Sequence, residues 1–135
     1  MKKIVVIDGQ GGKIGCLLVS RLKAEAKSGE IYAIGSNSIA AAAMLKAGAD
    51  YGASGENPVV VNCRDADVIA GPVGILAADS LLGEITPAMA VAVGQSPAQK
   101  VLLPVNRCSL HIAGARELSV AELIEAAVQQ VLALL

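Results

Sequence analysis

Short apolar runs alternate with amphipathic stretches along almost the whole chain. The runs "KKIVVID", "EIYAIG", "ADVIAG" and "KVLLPVN" are rich in Val, Ile, Leu and Ala, and a glycine or an asparagine ends or directly follows each of them. Runs of this kind are typical of strands buried on both faces of a parallel sheet. Between the first two, "KIGCLLVSRLKAEAK" spaces its apolar residues as an amphipathic helix does. The alternation predicts an α/β fold, namely a Rossmann-like three-layer sandwich with a mainly parallel sheet of five or six strands.

Several of the predicted helices carry end signals. The "SNS" at 36–38 supplies an N-cap for the Ala-rich helix that follows the second strand, and Gly48 ends that helix. The pair "TP" at 86–87 places a capping residue before a proline at the first helical position. The "SVAE" at 119–122 is a capping box that opens the last helix.

Some segments are less clear. "ADYGASG" is expected to hold a short third strand, and "LHIAG" a sixth. A helical stretch is expected near "ILAADSLL". Residues 58–64 are strand-like by propensity, but Asn57 and Pro58 resemble a cap and a first helical residue, and "NCRDA" is too short for a crossover between parallel strands. We therefore favour a short helix over 58–64.

Composition limits the possible partners. The 135 residues are expected to form one domain, 1–135, and 54% of them are hydrophobic, which favours self-association as a homodimer or larger homo-oligomer. Two tyrosines, no Phe or Trp, and a net charge of −1 argue against nucleic-acid binding. No run reaches the ~18–20 apolar residues of a membrane span, and "MKKIVVIDG" lacks the features of a signal peptide. We expect a cytoplasmic protein with no membrane partner.

The stretch "VVIDGQGGKIG" places four glycines directly after the first apolar run. Gly9, Gly11 and Gly15 form GxGxxxG, one residue longer than the dinucleotide pattern GxGxxG, and Gly12 adds a further glycine. A strand, a glycine turn and a helix in this order can bind phosphate through the amides of the helix N-terminus. The alternative is that the glycines only allow the strand and the helix to pack tightly.

Asp8 complicates a phosphate site because its carboxylate would repel a pyrophosphate. Its carboxylate can cap the loop by accepting hydrogen bonds from backbone amides, hold a divalent cation beside a phosphate, or contact a hydroxyl or ammonium group of a ligand. At the end of the second strand, "IGSNS" offers Ser36, Asn37 and Ser38 but no acidic residue, so a bound dinucleotide is expected to be NADP, or the site to take NADP and NAD without preference. The same residues can instead simply cap the next helix.

Two further loops fall on the same edge of the predicted sheet. These are "GPVG" at 71–74 and "PVNRC" at 104–108, which supplies Asn106 and Arg107. In open α/β sheets, ligands bind at the carboxyl ends of the strands. The predicted nucleotide-binding residues are Asp8, Gly9, Gln10, Gly11, Gly12, Lys13, Ile14, Gly15, Ser36, Asn37, Gly71, Pro72, Val73, Gly74, Asn106 and Arg107.

Catalytic groups are not apparent. His111 is the only histidine and is expected in the core or at an edge of the sixth strand, and no Ser-His-Asp, Cys-His or HExxH pattern is present. The three cysteines have no metal-site or disulfide spacing. We predict a regulatory module that binds a small-molecule nucleotide or NADP-like dinucleotide. An NADP-dependent oxidoreductase completed across a dimer interface, and a structural or partner-binding protein with no ligand, remain alternatives.

The blocks "VVIDGQGGKIG", "LKAGADYGASGEN", "ADVIAGPVGI", "GEITP" and "LPVNRC" occur in this order over nearly the whole chain. In these blocks the chain resembles a family of small bacterial proteins of unknown function, and that family is regarded as Rossmann-like. The resemblance implies the same fold and supplies no catalytic residues.

Overall fold

Five parallel strands form one sheet in the computed structural model, which describes residues 1–105 and 109–135. The strands are β1 (Lys2–Asp8), β2 (Gly29–Gly35), β3 (Tyr51–Ser54), β4 (Val68–Pro72) and β5 (Gln99–Leu103). Their order across the sheet is β3-β2-β1-β4-β5. The chain therefore reverses its direction of travel across the sheet between β1 and β4, which is the topological switch point of a doubly wound fold.

Helices connect the strands and cover both faces of the sheet. They are α1 (Lys13–Glu25), α2 (Ser38–Lys46), α3 (Glu56–Cys63), α4 (Pro87–Gln95) and α5 (Val120–Ala133), with a short 3-10 helix at Val73–Leu76. None of the helices in the described ranges is long and apolar enough to cross a membrane.

The alternation of side chains along β1 divides the core into two layers. Ile4 and Val6 pack with α1, α2 and α5 on one face, and Val5 and Ile7 pack with α3 and α4 on the other. All four side chains are at most 1% exposed. The three-layer α/β sandwich predicted from the alternation of strands and helices is confirmed.

The helix caps predicted from the sequence are found in the structure. Asn37 caps α2 by accepting the amide of Ala40 at 2.8 Å, and Thr86 caps α4 with a proline at its first position. The capping box between Ser119 and Glu122 opens α5. The preference for a helix over 58–64 is also confirmed, although α3 begins earlier than predicted, at a Gly55 N-cap with a φ of 105° instead of at Asn57.

Two predicted elements are absent from the described residues. "LHIAG" at 110–114 is exposed coil and turn, not a sixth strand. About six residues separate it from β5, which is too few for a parallel crossover, and it pairs with none of the five strands of the described sheet. The stretch "ILAADSLL" at 75–82 contributes only the end of the 3-10 helix and then a turn, because Asp79, Leu81 and Leu82 take positive φ angles that a right-handed helix excludes.

Candidate functional site

The glycine loop joins β1 to α1 at the switch point, and Asp8 lies beneath it. The side chain of Asp8 is 3% exposed. One carboxylate oxygen accepts the amide of Gly9 at 2.8 Å, and the other accepts the amide of Gly15 at 2.7 Å. Of the roles predicted for Asp8, the acceptor of loop amides is confirmed. In residues 1–105 and 109–135, no three potential metal ligands come together.

The environment of Asp8 shifts the pKa of its carboxyl group. Burial raises the pKa of its carboxyl group, and the charge of Glu84 raises it further. The hydrogen bonds from Gly15 and Gly9 act in the opposite direction without cancelling the effect of burial. A buried carboxylate with a shifted pKa in a cleft is a common mark of a functional site.

A second carboxylate, that of Glu84, closes the other side of the loop. It accepts the amide of Gln10 at 2.9 Å, the hydroxyl of Ser36 at 2.6 Å and the side-chain amide of Asn37 at 2.7 Å. Burial alone would raise the pKa of Glu84, but these three hydrogen bonds outweigh it and lower the pKa. Glu84 therefore supplies an acidic group at the end of β2, where the sequence of β2 itself has none.

Glu84 was missed as a site residue because its partners lie far away in the sequence. The only signal was its position in "GEITP", shortly after β4 and directly before the capped helix α4. That position places it at the carboxyl edge of the sheet, but does not indicate which loop it bonds.

The turn that carries Glu84 has a strained backbone. Asp79, Leu81 and Leu82 have φ angles of 66°, 55° and 57°, in the left-handed region that residues with a side chain rarely adopt. Leu81 is buried at 3% exposure, whereas Leu82 is 95% exposed. Strain of this kind persists only where surrounding contacts enforce it, and it concentrates at functional sites.

Three of the four loop glycines are required by contacts inside the chain. A Cβ at Gly9 would lie 2.5 Å from Ser36 Oγ, and one at Gly15 would lie 2.9 Å from Asp8 Cβ and overlap Met44. Gly12 has a φ of 75°. Gly11 differs from all of them, because its φ is negative and a Cβ there would have no neighbour within 4 Å.

A cleft of about 230 Å³ opens beside Gly11, between the loop and the start of α5. Its lining is residues 8–14 together with Val105 and Val120. Within the described ranges, the amides of Gly11, Lys13 and Ile14 have no hydrogen-bond acceptor. Two of these amides belong to the first turn of α1, where the helix dipole favours negative charge.

The other predicted site residues are not brought to this cleft. Ser36 and Asn37 bond Glu84, and Asn37 also caps α2. The 71–74 loop does not contribute to the lining within the part of the chain that is described. A Cβ at Gly71 would overlap the carbonyl oxygen of Ile7, so this glycine allows β4 to lie close to β1. The close contact of Gly71 is therefore with the protein and not with a ligand.

Two further predictions concern the region after β5. Asn106 and Arg107 lie outside the described residues. His111 is exposed in coil, so its predicted place in the core or at a sheet edge is wrong.

Comparisons with known proteins identify a structural similarity and a family. No curated protein matches the sequence at a significant level. Among solved structures, the dodecameric FMN-dependent UbiX-like decarboxylase from Escherichia coli O157:H7 is similar, with a TM-score of 0.48 and 17% sequence identity. The similarity covers 98% of this chain and 92% of that chain.

The prediction of an NADP-like nucleotide or dinucleotide at the glycine loop is wrong. In this chain, Asp8 and Glu84 already accept hydrogen bonds from the amides of Gly9, Gln10 and Gly15, so these three loop amides are not available to the two phosphates of a dinucleotide. The nucleotide-sensor and NADP-oxidoreductase hypotheses both depended on that prediction and fall with it.

The sequence resemblance to small Rossmann-like proteins of unknown function is confirmed. A family model matches residues 3–135, and the chain belongs to the family described as Domain of unknown function (DUF3842).

Proposed function

We propose that this protein binds a small organic acid that also carries a hydroxyl or amino group, in the cleft between the glycine loop and α5. Hydroxy acids and amino acids are the compounds of this class. The observation that carries the proposal is Gly11, the loop glycine for which neither backbone angle nor packing gives a reason. A glycine with open space above it lets a ligand approach the backbone closely.

The acidic group of the ligand is assigned to the start of α1. The amides of Gly11, Lys13 and Ile14 are donors without an acceptor among the described residues, and all three residues line the cleft. The positive end of the α1 dipole and the exposed ammonium group of Lys13 add favourable electrostatics for an anion.

The donor group of the ligand is assigned to Asp8. Each of its carboxylate oxygens accepts one backbone amide, whereas an ionised carboxylate offers about four acceptor sites. A hydroxyl or ammonium hydrogen of the ligand can use the remaining capacity. A ligand with an acid alone would place two negative charges together with nothing between them, so the donor is part of the expected chemistry.

The size of the cleft limits the ligand. Its volume of about 230 Å³ lies below the ~300–1,000 Å³ of pockets that hold drug-sized molecules. A compound of a few carbon atoms fits this space. Homo-oligomerisation, predicted from the apolar composition, also remains part of the proposal.

Titration calorimetry and thermal unfolding test the proposal with lactate and serine as probes. Acetate, which lacks the donor, and ethanolamine, which lacks the acid, are the matched control compounds. A ligand at about 100 times its dissociation constant adds roughly 2.7 kcal/mol to the free energy of unfolding, which is a shift of several degrees. We expect saturable binding of lactate or serine and much weaker binding of both controls.

Gly11→Val fills the space over the loop and is expected to abolish binding while the protein stays folded. Gly94→Val is its control, because a Cβ at Gly94 contacts only Leu76 at 3.9 Å and lies away from the cleft. Binding that survives Gly11→Val, or equal binding of acetate and lactate, would contradict the proposal.

A further inference from the structure

The outer surface of α3 and α4 is almost free of charge. We call it the α3/α4 face and define it by Val60 and Val61 of α3 and by Val91 and Ala92 of α4. Val61 and Val91 are 42% and 52% exposed, and Val60 and Ala92 are half-buried. The nine residues of α4 include no charged side chain. A surface helix of a monomeric protein normally has a polar outer side, so this face is suited to contact with a protein partner.

A groove runs along the face between the two helices. It has a volume of about 320 Å³, and Val60, Arg64, Ala92 and Gln95 are among the residues that line it. It lies at the other end of the helices from the glycine loop, because its lining residues come from the last turns of α3 and α4 and just beyond them.

Opposite charges stand at the two ends of α3. Glu56 is its first residue, and Arg64 directly follows its last. Both side chains are exposed, and neither forms an ion pair within residues 1–105 and 109–135. Eight positions at 1.5 Å per residue separate them by about 12 Å along the helix axis.

This charge pattern is complementary to itself. In a two-fold symmetric contact, residue i of one copy meets residue j of the other, and j meets i. When two α3 helices cross antiparallel, Glu56 of each copy faces Arg64 of the other, and the uncharged valines lie between these pairs with no like charges opposed. We propose that the α3/α4 face is where a second copy of this chain binds, through a two-fold axis across α3.

Sedimentation velocity of the full-length protein from 5 to 100 µM tests this inference. We expect the wild type to be a dimer or a larger assembly. Val91→Glu places like charges near the axis and is expected to reduce the mass of the assembly at least twofold. Ile39→Glu is the matched control, since Ile39 is 71% exposed on α2 and outside the face, and it is expected to leave the mass unchanged.

A charge exchange separates a lost contact from a lost fold. Arg64→Glu is expected to weaken association at least tenfold, and the double variant Glu56→Arg with Arg64→Glu is expected to restore it. A wild type that stays monomeric at 100 µM would overturn the inference. So would dissociation by Ile39→Glu with Val91→Glu unaffected, or a double variant that is no better associated than Arg64→Glu.

Discussion

The carboxylate of Glu84 accepts the backbone amide of Gln10 at 2.9 Å, although 74 positions separate the two residues along the chain. The contact joins the strained turn after β4 to the glycine loop after β1. With the hydroxyl of Ser36 and the side-chain amide of Asn37 on the same carboxylate, it fixes three segments of the sheet edge relative to one another. The shape of the candidate cleft therefore depends on Glu84 as well as on the glycines.

Removal of the Glu84 carboxylate should destabilise the protein. Hydrogen bonds to a charged group contribute about 1.5–3 kcal/mol each, and since Glu84 is only half-buried we expect Glu84→Ala to cost about 1–2 kcal/mol in total. Glu84→Gln keeps two lone pairs on one oxygen and should cost less. Urea unfolding measures both, with the exposed Glu117→Ala as control. A Glu84→Ala variant as stable as Glu117→Ala would show that the bonds contribute nothing.

Two glycines of the same loop should respond in opposite ways to alanine. Gly11→Ala meets open space at a negative φ and is expected to leave stability unchanged or raise it by about 0.4–1 kcal/mol through the unfolded state. Gly15→Ala brings a methyl group against Met44 and Asp8 and is expected to cost about 1–3 kcal/mol. Chemical denaturation of both variants measures the difference. Equal losses at the two positions would mean that Gly11 also has a packing function.

The stability contributed by Asp8 should fall as the pH rises. Its pKa in the folded protein is raised above the ordinary value of 3.8, so the folded state holds the proton more tightly than the unfolded state does. The contribution is therefore complete below pH 3.8 and is lost as the pH rises through the folded pKa. The free energy of unfolding of the wild type minus that of Asp8→Asn is expected to decrease from pH 4 upward. A difference that grows with pH would contradict the raised pKa.

The charge of Glu84 contributes to that raised pKa, and its effect can be isolated. Glu84→Gln removes the charge and keeps a side chain of the same shape. We expect the carboxyl carbon of Asp8 to titrate at lower pH in this variant than in the wild type, as followed by carbon-13 NMR. The carboxyl group of Asp50, which bonds Lys23 and the amide of Ile31, serves as the unaffected reference. An unchanged Asp8 titration would show that the two carboxylates do not interact.

Strain at Leu82 can be relieved by a residue that tolerates its backbone angle. Leu82 has a φ of 57° and is 95% exposed, and asparagine adopts this conformation more readily. We expect Leu82→Asn to raise the free energy of unfolding by about 1 kcal/mol. Leu82→Ala, which removes the side chain but keeps a Cβ, is expected to give no such gain. If both variants gave the same change, the backbone would store no strain at this position.

Elements with local signals were predictable from the sequence. The four buried apolar runs became β1, β2, β4 and β5, and the capping residues Asn37, Thr86 and Ser119 open the helices that they were expected to open. The three-layer fold follows from this alternation. The errors fell at 75–82 and at 110–114. Apolar content suggested regular structure there. Positive φ angles exclude a helix in the first segment, and the second pairs with none of the strands of the described sheet.

The site was less predictable because its decisive contacts are long-range. The glycine pattern located the loop and Asp8, yet three of the four glycines are explained by contacts with Ser36, Ala40 and Met44, which only the fold brings near. The hydrogen bond from the amide of Gln10 to Glu84 has no local signal in the sequence, because the position of Glu84 does not indicate which loop it bonds. The glycine-rich loop therefore correctly indicated that its backbone lies close to other atoms. Most of those atoms belong to the protein itself.

Amide proton–nitrogen NMR spectra recorded during a titration with lactate or serine test the central claim most directly. We predict saturable shifts concentrated at the amides of Gly11, Lys13 and Ile14, with smaller changes at Gly9 and Gly15, whose amides already bond Asp8. The same titration of Gly11→Val should give no such shifts. Undisturbed amides at these three residues with every hydroxy acid and amino acid tested, or shifts located elsewhere, would contradict a small-acid site in this cleft.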